Sequence, residues 1–99
     1  MYGLIGKMNA LEGKFDELLA TLLTASETPM PGCLSYIVAS DPADPNGIWI
    51  TEVWDSKESH AASLTLPAVK KLIALARPWI AGFSNRTETA PAGGYGLRK

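Results

Sequence analysis

The positions of apolar and polar residues along the chain predict elements in the order β-α-β-β-α-β. Alternation with a period of two residues predicts strands over residues 2–11, 33–39, 48–56 and 83–88. Between the first two strands, apolar residues at three- and four-residue spacings form one helical stripe, made of Phe15, Leu18, Leu19, Leu22 and Leu23. The loop over residues 41–47 is rich in Pro, Asp and Gly, so the second and third strands are expected to pair as a hairpin.

The second helical region follows the third strand directly. The run Asp55-Ser56-Lys57-Glu58 has the form of a capping box, with Asp55 as the N-cap of the helix. Pro67 breaks this helix and begins another, which Pro78 and Gly82 end. The order is the split β-α-β pattern of the ferredoxin-like α+β fold, in which two helices cover one face of a four-stranded antiparallel sheet.

Both faces of the third predicted strand carry a tryptophan. One face presents Ile48, Ile50, Glu52 and Trp54, and the other presents Trp49, Thr51 and Val53. The helices of one chain can cover only one of these faces, so the other face is expected to pack against a second copy of the chain. Glu52 lies between apolar neighbours, where a carboxylate costs free energy unless it has partners. This position makes Glu52 a candidate functional residue.

Composition excludes several classes of partner. With 46% hydrophobic and 19% charged residues, residues 1–99 can form one domain, whose tail from about residue 90 is either loose or docked on a partner chain. A net charge of −1 and scattered basic residues argue against nucleic acid. No apolar run reaches the roughly 18 residues of a membrane span, and no signal peptide is evident, so a cytoplasmic protein is predicted. A single Cys and a single His, without ligand spacing, argue against a metal site.

Two motifs carry a resemblance to a known family. The run from Met30 to Tyr36 (MPGCLSY) and the run from Thr51 to Glu58 (TEVWDSKE) resemble the antibiotic biosynthesis monooxygenase superfamily, and more narrowly its small quinol monooxygenases. The resemblance extends from Tyr2 to about Glu88. It implies a homodimer whose two sheets pack face to face. It also implies oxidation of an electron-rich aromatic by O₂ without flavin, haem or metal, so no cofactor is expected.

The chain departs from relatives in the superfamily at the expected histidine. Many relatives carry a histidine about nine residues after the strand tryptophan, where this chain has Ser63. The only histidine, His60, lies one helical turn earlier, so both positions project from the same side of a helix. The haem-degrading branch places an axial histidine within the segment that corresponds to residues 69–77, and this chain has none there. Haem degradation is therefore disfavoured, although Asn9 fits that branch.

Three polar residues are the candidate catalytic residues. Imidazoles titrate near neutral pH, so His60 is expected to help remove a phenolic proton. Glu52 or Asn9 is expected to position the substrate oxygen. The structural alternatives are a half-exposed helix residue for His60, a solvated strand end for Asn9, and for Glu52 a pairing with Arg86, Lys7 or backbone amides.

Tyr36, Trp54 and Leu64 are the candidate substrate-binding residues. Their alternative is an ordinary core role, since large aromatic residues on strands are often core. Trp49 points to the other face of its strand and is expected in the dimer interface.

The sequence therefore predicts a cofactor-independent monooxygenase that oxidises a quinol or polyphenol-like aromatic with O₂. The alternative is a non-catalytic protein of the same fold that binds a small aromatic metabolite, because a fold does not determine a function. A third interpretation is a dimer without a ligand, in which side chains fill the pocket.

Overall fold

The chain follows the predicted order of elements, with the second helical region divided at Pro67. In a computed structural model, which describes residues 1–97, the elements are β1 (Tyr2–Ala10), α1 (Phe15–Glu27), β2 (Cys33–Ser40), β3 (Gly47–Trp54), α2 (Lys57–Ser63), α3 (Pro67–Ala76), a 3-10 turn (Arg77–Trp79) and β4 (Ile80–Thr89). The strands form one antiparallel sheet in the order β2-β3-β1-β4. This arrangement confirms the predicted ferredoxin-like α+β fold.

The tail has no regular structure over residues 90–97. Arg98 and Lys99 lie outside the described residues. Docking of the tail on a partner chain and the single-domain extent both stay predictions. No helix in residues 1–97 is both long and apolar enough to cross a lipid bilayer.

The predicted start of α2, end of α3 and start of β4 are wrong. The N-cap of α2 is Ser56 rather than Asp55, because Ser56 has extended backbone angles and its Oγ accepts a hydrogen bond from the Ser59 N–H at 3.1 Å. Helix α3 ends at Ala76, and Gly82 lies inside β4, where it pairs with Asn9. The strand begins earlier than predicted because Ile80 already packs against the core.

The helices pack on one face of the sheet, here called the inner face. Leu18 of α1, Ile48 and Trp54 are fully buried between the two layers. The predicted α1 stripe is wrong at its C-terminal end, since the Leu23 side chain is 45% exposed. Thr21 is buried instead, and its hydroxyl donates to the Glu17 carbonyl at 3.0 Å, which satisfies its polar group inside the helix.

The opposite face of the sheet, here called the outer face, is not covered by the helices of this chain. It presents Ile37, Trp49, Thr51 and Val53. On the same face the Lys7 ammonium lies 3.1 Å from an Asp41 oxygen and 2.8 Å from an Asp44 oxygen. These ion pairs fasten the loop between β2 and β3 to the middle of the sheet.

We expect Lys7→Met to lower the urea midpoint of unfolding at pH 7. Hydrogen bonds from the Ala43 N–H and Lys7 hold the pKa of Asp41 below its usual range, and Lys7 does the same for Asp44. A carboxyl group whose pKa is lower in the folded state stabilises the fold at pH values above its unfolded-state pKa of about 3.9. This stabilisation is lost as pH falls through the folded-state pKa. The variant should therefore differ most from wild type at neutral pH, and the difference should disappear as pH falls through the folded-state pKa values of Asp41 and Asp44.

The matched control for Lys7→Met is Lys14→Met. Lys14 pairs with Glu17 at 3.3 Å, but both side chains are more than two-fifths exposed. Exposed ion pairs contribute little to stability, so this variant should unfold at the wild-type midpoint. Equal midpoints for the two variants would show that the Lys7 ion pairs do not stabilise the loop.

Candidate active site

A cavity of about 300 Å³ lies between the inner face of the sheet and the helices. This volume is at the lower end of the usual range for small-molecule sites. Apolar side chains from both layers form most of its wall, among them Met8, Ile50 and Phe83 of the sheet and Leu22, Leu72 and Ile73 of the helices. Tyr36, Glu52 and His60 supply its main polar groups. The cavity is therefore suited to an apolar ring that carries a polar substituent.

Strand pairing and the short β3–α2 connection bring the polar groups together. Tyr36 on β2 lies directly opposite Glu52 on β3, and both project to the inner face. Trp54 ends β3, Ser56 caps α2, and His60 follows in the next helical turn. The cap fixes where the helix begins, and so it fixes which side of the helix His60 occupies.

The carboxyl group of Glu52 has two neighbours inside the cavity. The Trp54 indole N–H donates to Glu52 Oε1 at 3.0 Å, and His60 Nε2 lies 3.8 Å from the same oxygen. Burial raises the pKa of Glu52, whereas the Trp54 hydrogen bond and the positive charges of His60 and Arg86 act in the opposite direction. The pairing with Lys7 considered above is wrong, because Lys7 lies on the outer face with Asp41 and Asp44.

The imidazole of His60 is largely buried between aromatic rings. Its side chain is 15% exposed, so the half-exposed alternative is wrong. Its ring centroid lies 5.4 Å from that of Trp54, edge to face, and 5.6 Å from that of Tyr2. The Ser63 hydroxyl, at the position where relatives carry histidine, donates to the His60 carbonyl at 2.6 Å. The imidazole is thus held with its Nε2 towards Glu52.

The phenol of Tyr36 is a hydrogen-bond donor in this site rather than a base. Burial raises the pKa of Tyr36 well above its usual value, and the nearby Glu52 carboxylate raises it further. The hydroxyl therefore keeps its proton throughout the physiological pH range. It can donate to an oxygen atom of a bound molecule.

The cavity brings together five of the six predicted site residues, namely Tyr36, Glu52, Trp54, His60 and Leu64. Asn9 is the exception, and its predicted contact with the substrate oxygen in this cavity is wrong. The alternation of β1 turns Met8 to the inner face and Asn9 to the outer face, where its amide donates to Ser84 Oγ at 3.3 Å.

Several cavity residues were not predicted as site residues. Val69, Leu72, Ile73 and Ala76 follow a helical stripe that indicates core packing, yet all four line the cavity. Phe83 also lines it and is 66% exposed. A stripe that packs against a neighbour and one that borders a void have the same sequence pattern. The sequence feature that pointed to a cavity was Glu52, a carboxylate on the same strand face as the apolar Ile50.

The site residues do not form an evident metal centre. Within the described part of the chain, no three His, Cys, Asp or Glu side chains lie close enough to hold a metal ion. What the arrangement offers is a proton acceptor, a carboxyl group beside it and a phenol donor, all at the edge of an apolar space. These groups suit removal of a proton from a hydroxyl group on an aromatic ring.

Comparison with known families agrees with this geometry. The antibiotic biosynthesis monooxygenase family model matches residues 1–75. The chain belongs to this family. The match confirms the resemblance seen in the sequence, and its span from β1 almost to the end of α3 includes all of the predicted site residues.

Solved structures of the antibiotic biosynthesis monooxygenase family have the same fold. A crystal structure of a "putative antibiotic biosynthesis monooxygenase" from Chloroflexus aurantiacus is 58% identical, with a TM-score of 0.91 over 98% of both chains. A structure with the same description from Deinococcus radiodurans is 22% identical, with a TM-score of 0.80 over the whole of both chains. One from Nitrosomonas europaea is 18% identical, with a TM-score of 0.78 over 96% of this chain and 100% of that chain. No curated protein matches the chain.

Proposed function

We propose that the protein is a cofactor-independent monooxygenase that oxidises a quinol or polyphenol-like aromatic with O₂. The observation that carries the proposal is the cavity itself, an apolar space with His60, Glu52 and Tyr36 grouped in its wall. Membership of the antibiotic biosynthesis monooxygenase family supports the reaction class. The interpretation as a ligand-free dimer required a filled pocket, and the open cavity of about 300 Å³ argues against it.

The proposed reaction needs no external reductant. A quinol and O₂ give a hydroxyquinone and water, so one oxygen atom enters the ring and the other leaves as water. All of the electrons come from the aromatic substrate. Removal of a phenolic proton makes the ring a better electron donor to O₂, after which a carbon–oxygen bond forms on the ring. The protein has to bind the ring, favour its anion and exclude water.

Each polar side chain has a separate role in this scheme. His60 accepts the phenolic proton, and Glu52 stabilises the resulting imidazolium from 3.8 Å away. Tyr36 donates a hydrogen bond to the oxygen anion of the ring. Trp54 fixes the Glu52 carboxyl group through its indole N–H at 3.0 Å, and Leu64 borders the ring.

Oxygen uptake by metal-free protein tests this proposal. Protein without added cofactor is mixed with a panel of quinols and catechols, including reduced menadione, and O₂ consumption is followed with an electrode. The expected result is uptake that scales with protein concentration and persists in the presence of a chelator. Absence of uptake above the buffer rate would contradict the proposal. If the same aromatics then raised the melting temperature, the binding-protein alternative would replace it.

We also propose that two copies pack through their outer faces. That face exposes 56% of the Ile37 side chain and carries Trp49, Thr51 and Val53 beside it. A face of this kind on a small protein is typical of an association surface. The second copy would cover the side of the sheet that the helices leave open. Location in the cytoplasm remains a prediction from the sequence.

We expect Ile37→Glu to convert the proposed dimer to monomer. A buried unpaired charge costs roughly 3–5 kcal/mol, which corresponds to a dimer dissociation constant raised more than about a hundredfold. Ile37 is a better position than Trp49 for this test, because the Trp49 indole also donates to Asp41 at 3.1 Å within the same chain. Sedimentation equilibrium gives the mass of each variant.

The matched control for Ile37→Glu is Leu75→Glu. Leu75 is 52% exposed on α3, in the helical layer away from the outer face. This variant should keep the mass of the wild-type protein. A dimer that persists in Ile37→Glu, or equal dissociation of both variants, would exclude the outer face as the interface.

A further inference from the structure

A second, smaller space lies beside the main cavity at Glu52, on the inner face of the sheet. This space, here called the annex, has a volume of about 130 Å³. It shares Met8, Ile50, Glu52 and Phe83 with the main cavity. Its other wall residues are Leu4, Gly6, Lys7, Ser84 and Arg86, of which Lys7 has its ammonium group paired with Asp41 and Asp44. A molecule in the main cavity could therefore extend one substituent into the annex.

The missing side chain of Gly6 helps to leave the annex open. Gly6 lies on β1 between Leu4 and Met8, which both face the helices, so a larger residue here would project into the annex. A Cβ atom at this position would meet the Arg86 backbone no closer than 3.8 Å, an ordinary contact. The glycine is therefore not required by backbone crowding, and its small size is available to make room for a ligand.

A β-bulge turns Arg86 towards the annex. Ile5 pairs with Thr87 and Lys7 with Ser84, so Asn85 and Arg86 together stand opposite Gly6. Asn85 has a φ of 54°, the left-handed conformation that Asn tolerates better than most residues. With regular alternation from Ser84, which pairs with Lys7 on the outer face, the Arg86 side chain would also point to the outer face. The extra residue reverses this direction, so the Arg86 side chain lies near Gly6 on the inner face.

The guanidinium group of Arg86 is available to pair with an anion. Among residues 1–97, no carboxylate lies within ion-pair distance of it and no side-chain hydrogen bond involves it. Its positive charge nevertheless acts on Glu52. Guanidinium groups bind carboxylates through two parallel hydrogen bonds, which a point charge such as an ammonium group does not reproduce.

We propose that the annex is a subsite for a carboxylate substituent, so that the substrate is a hydroxylated aromatic acid with its ring in the main cavity and its carboxylate paired with Arg86. The inference rests on the proposed function, because the main cavity must first hold the ring. It adds a specificity determinant that the reaction itself does not require.

Glu52 at the junction is compatible with an acidic ligand. The positive charge of Arg86 favours the ionised form of Glu52 and can offset the repulsion between this carboxylate and the ligand carboxylate. Arg86 then acts on both carboxylates as a shared positive charge. In this arrangement Arg86 binds and orients the substrate, while His60 remains the proton acceptor.

Calorimetric titration with a matched set of ligands tests the subsite. The probes are 2-naphthol, 3-hydroxy-2-naphthoate, 6-hydroxy-2-naphthoate and the methyl esters of the two acids, all titrated anaerobically at pH 7. At least one acid should bind wild-type protein about tenfold or more tightly than both 2-naphthol and its own ester, as expected for a charge-assisted hydrogen-bonded pair.

Three variants separate the Arg86 contact from general charge effects. Arg86→Gln should remove the advantage of the acid and leave 2-naphthol affinity within about twofold, whereas Arg86→Lys should retain part of the advantage. Gly6→Ala should weaken binding of the acid several-fold by filling part of the annex. Arg77→Gln removes the same charge at the end of α3, away from the annex, and should bind every probe as wild type does.

The outcomes distinguish failure of the subsite from failure of the proposed function. Binding of 2-naphthol with no advantage for either acid would overturn the subsite and leave the main cavity as the proposed ring site. Equal loss of acid binding in Arg86→Gln and Arg77→Gln would also overturn it. If no probe binds, both proposals fall. A preference for acid that is lost only in the Arg86 and Gly6 variants supports the annex.

Discussion

Replacing His60 by alanine is expected to lower the rate of O₂ uptake about 10²–10⁴-fold at pH 7, the usual contribution of a general base. The loss should appear in kcat, because the imidazole receives a proton in the reaction and contributes only part of the ring-binding wall. The measurement is initial O₂ consumption with the best quinol from the panel, at saturating concentration. Added imidazole should restore part of the rate if the missing group is a proton acceptor.

The matched control is Leu64→Ala, which removes an apolar group from the same cavity without removing a base. Its effect should fall mainly on KM, with kcat changed by less than about tenfold. Raising the pH should rescue His60→Ala towards the control, since hydroxide and a larger fraction of ionised quinol then replace the base. Equal rates in wild type and His60→Ala would eliminate the role given to His60.

Much of the fold could be predicted because its signals are local. Alternation in β1 and β3 and the α1 stripe each specify one element and the face it buries, and the structure has these elements within a few residues of the predicted bounds. The two-sided third strand was also informative. Its Trp54 face is buried under the helices, and its Trp49 face is the one that this chain does not cover.

The errors in the fold occur where two local signals compete. Asp55 and Ser56 are both residue types that favour the N-cap, and which of them caps α2 depends on where β3 ends. Gly82 is a residue type that often ends helices, but α3 ends before the 3-10 turn that contains Pro78, and Ile80 already packs against the core as the first residue of β4. Such choices are made by tertiary packing, which the local sequence does not report.

The candidate site was predicted from residue types, but its shape was not predictable. Glu52 and His60 could be singled out as a carboxylate on an apolar face and a lone imidazole. The separation of 3.8 Å between them depends on the cap of α2. The position of Arg86 depends on a bulge at Asn85, which has a left-handed backbone conformation. Asn tolerates this conformation, but an Asn inside a strand does not by itself indicate a bulge in the sequence.

The same physical arrangement accounts for both the stability and the proposed chemistry of the site. Trp54 is 1% exposed and packs with Tyr2 and Leu4, while its indole N–H holds the Glu52 carboxyl group. Trp54 therefore packs in the core and also lines the cavity, and its contact with a substrate stays a prediction. A side chain fixed by the core is a rigid support for a group that must keep its position during a reaction.

Replacing Trp54 by alanine should consequently have the largest effect on stability among the cavity residues. We expect the free energy of unfolding to fall by about 3–5 kcal/mol, a large share of the roughly 5–15 kcal/mol available to a small domain. The measurement is urea unfolding followed by far-ultraviolet circular dichroism. If Trp54→Ala does not fold, Trp54→Phe provides the test, with an expected loss of about 1–3 kcal/mol for leaving the Glu52 carboxyl group without its donor.

The control is Phe83→Ala, which removes another aromatic ring from the wall of the same cavity. Phe83 is 66% exposed, so its loss should change the free energy of unfolding by less than about 1 kcal/mol. The two variants thus separate burial from cavity contact, since both residues touch the cavity and only Trp54 is buried. Similar losses from both replacements would mean that contact with the cavity, rather than burial in the core, determines the stability contribution of these rings.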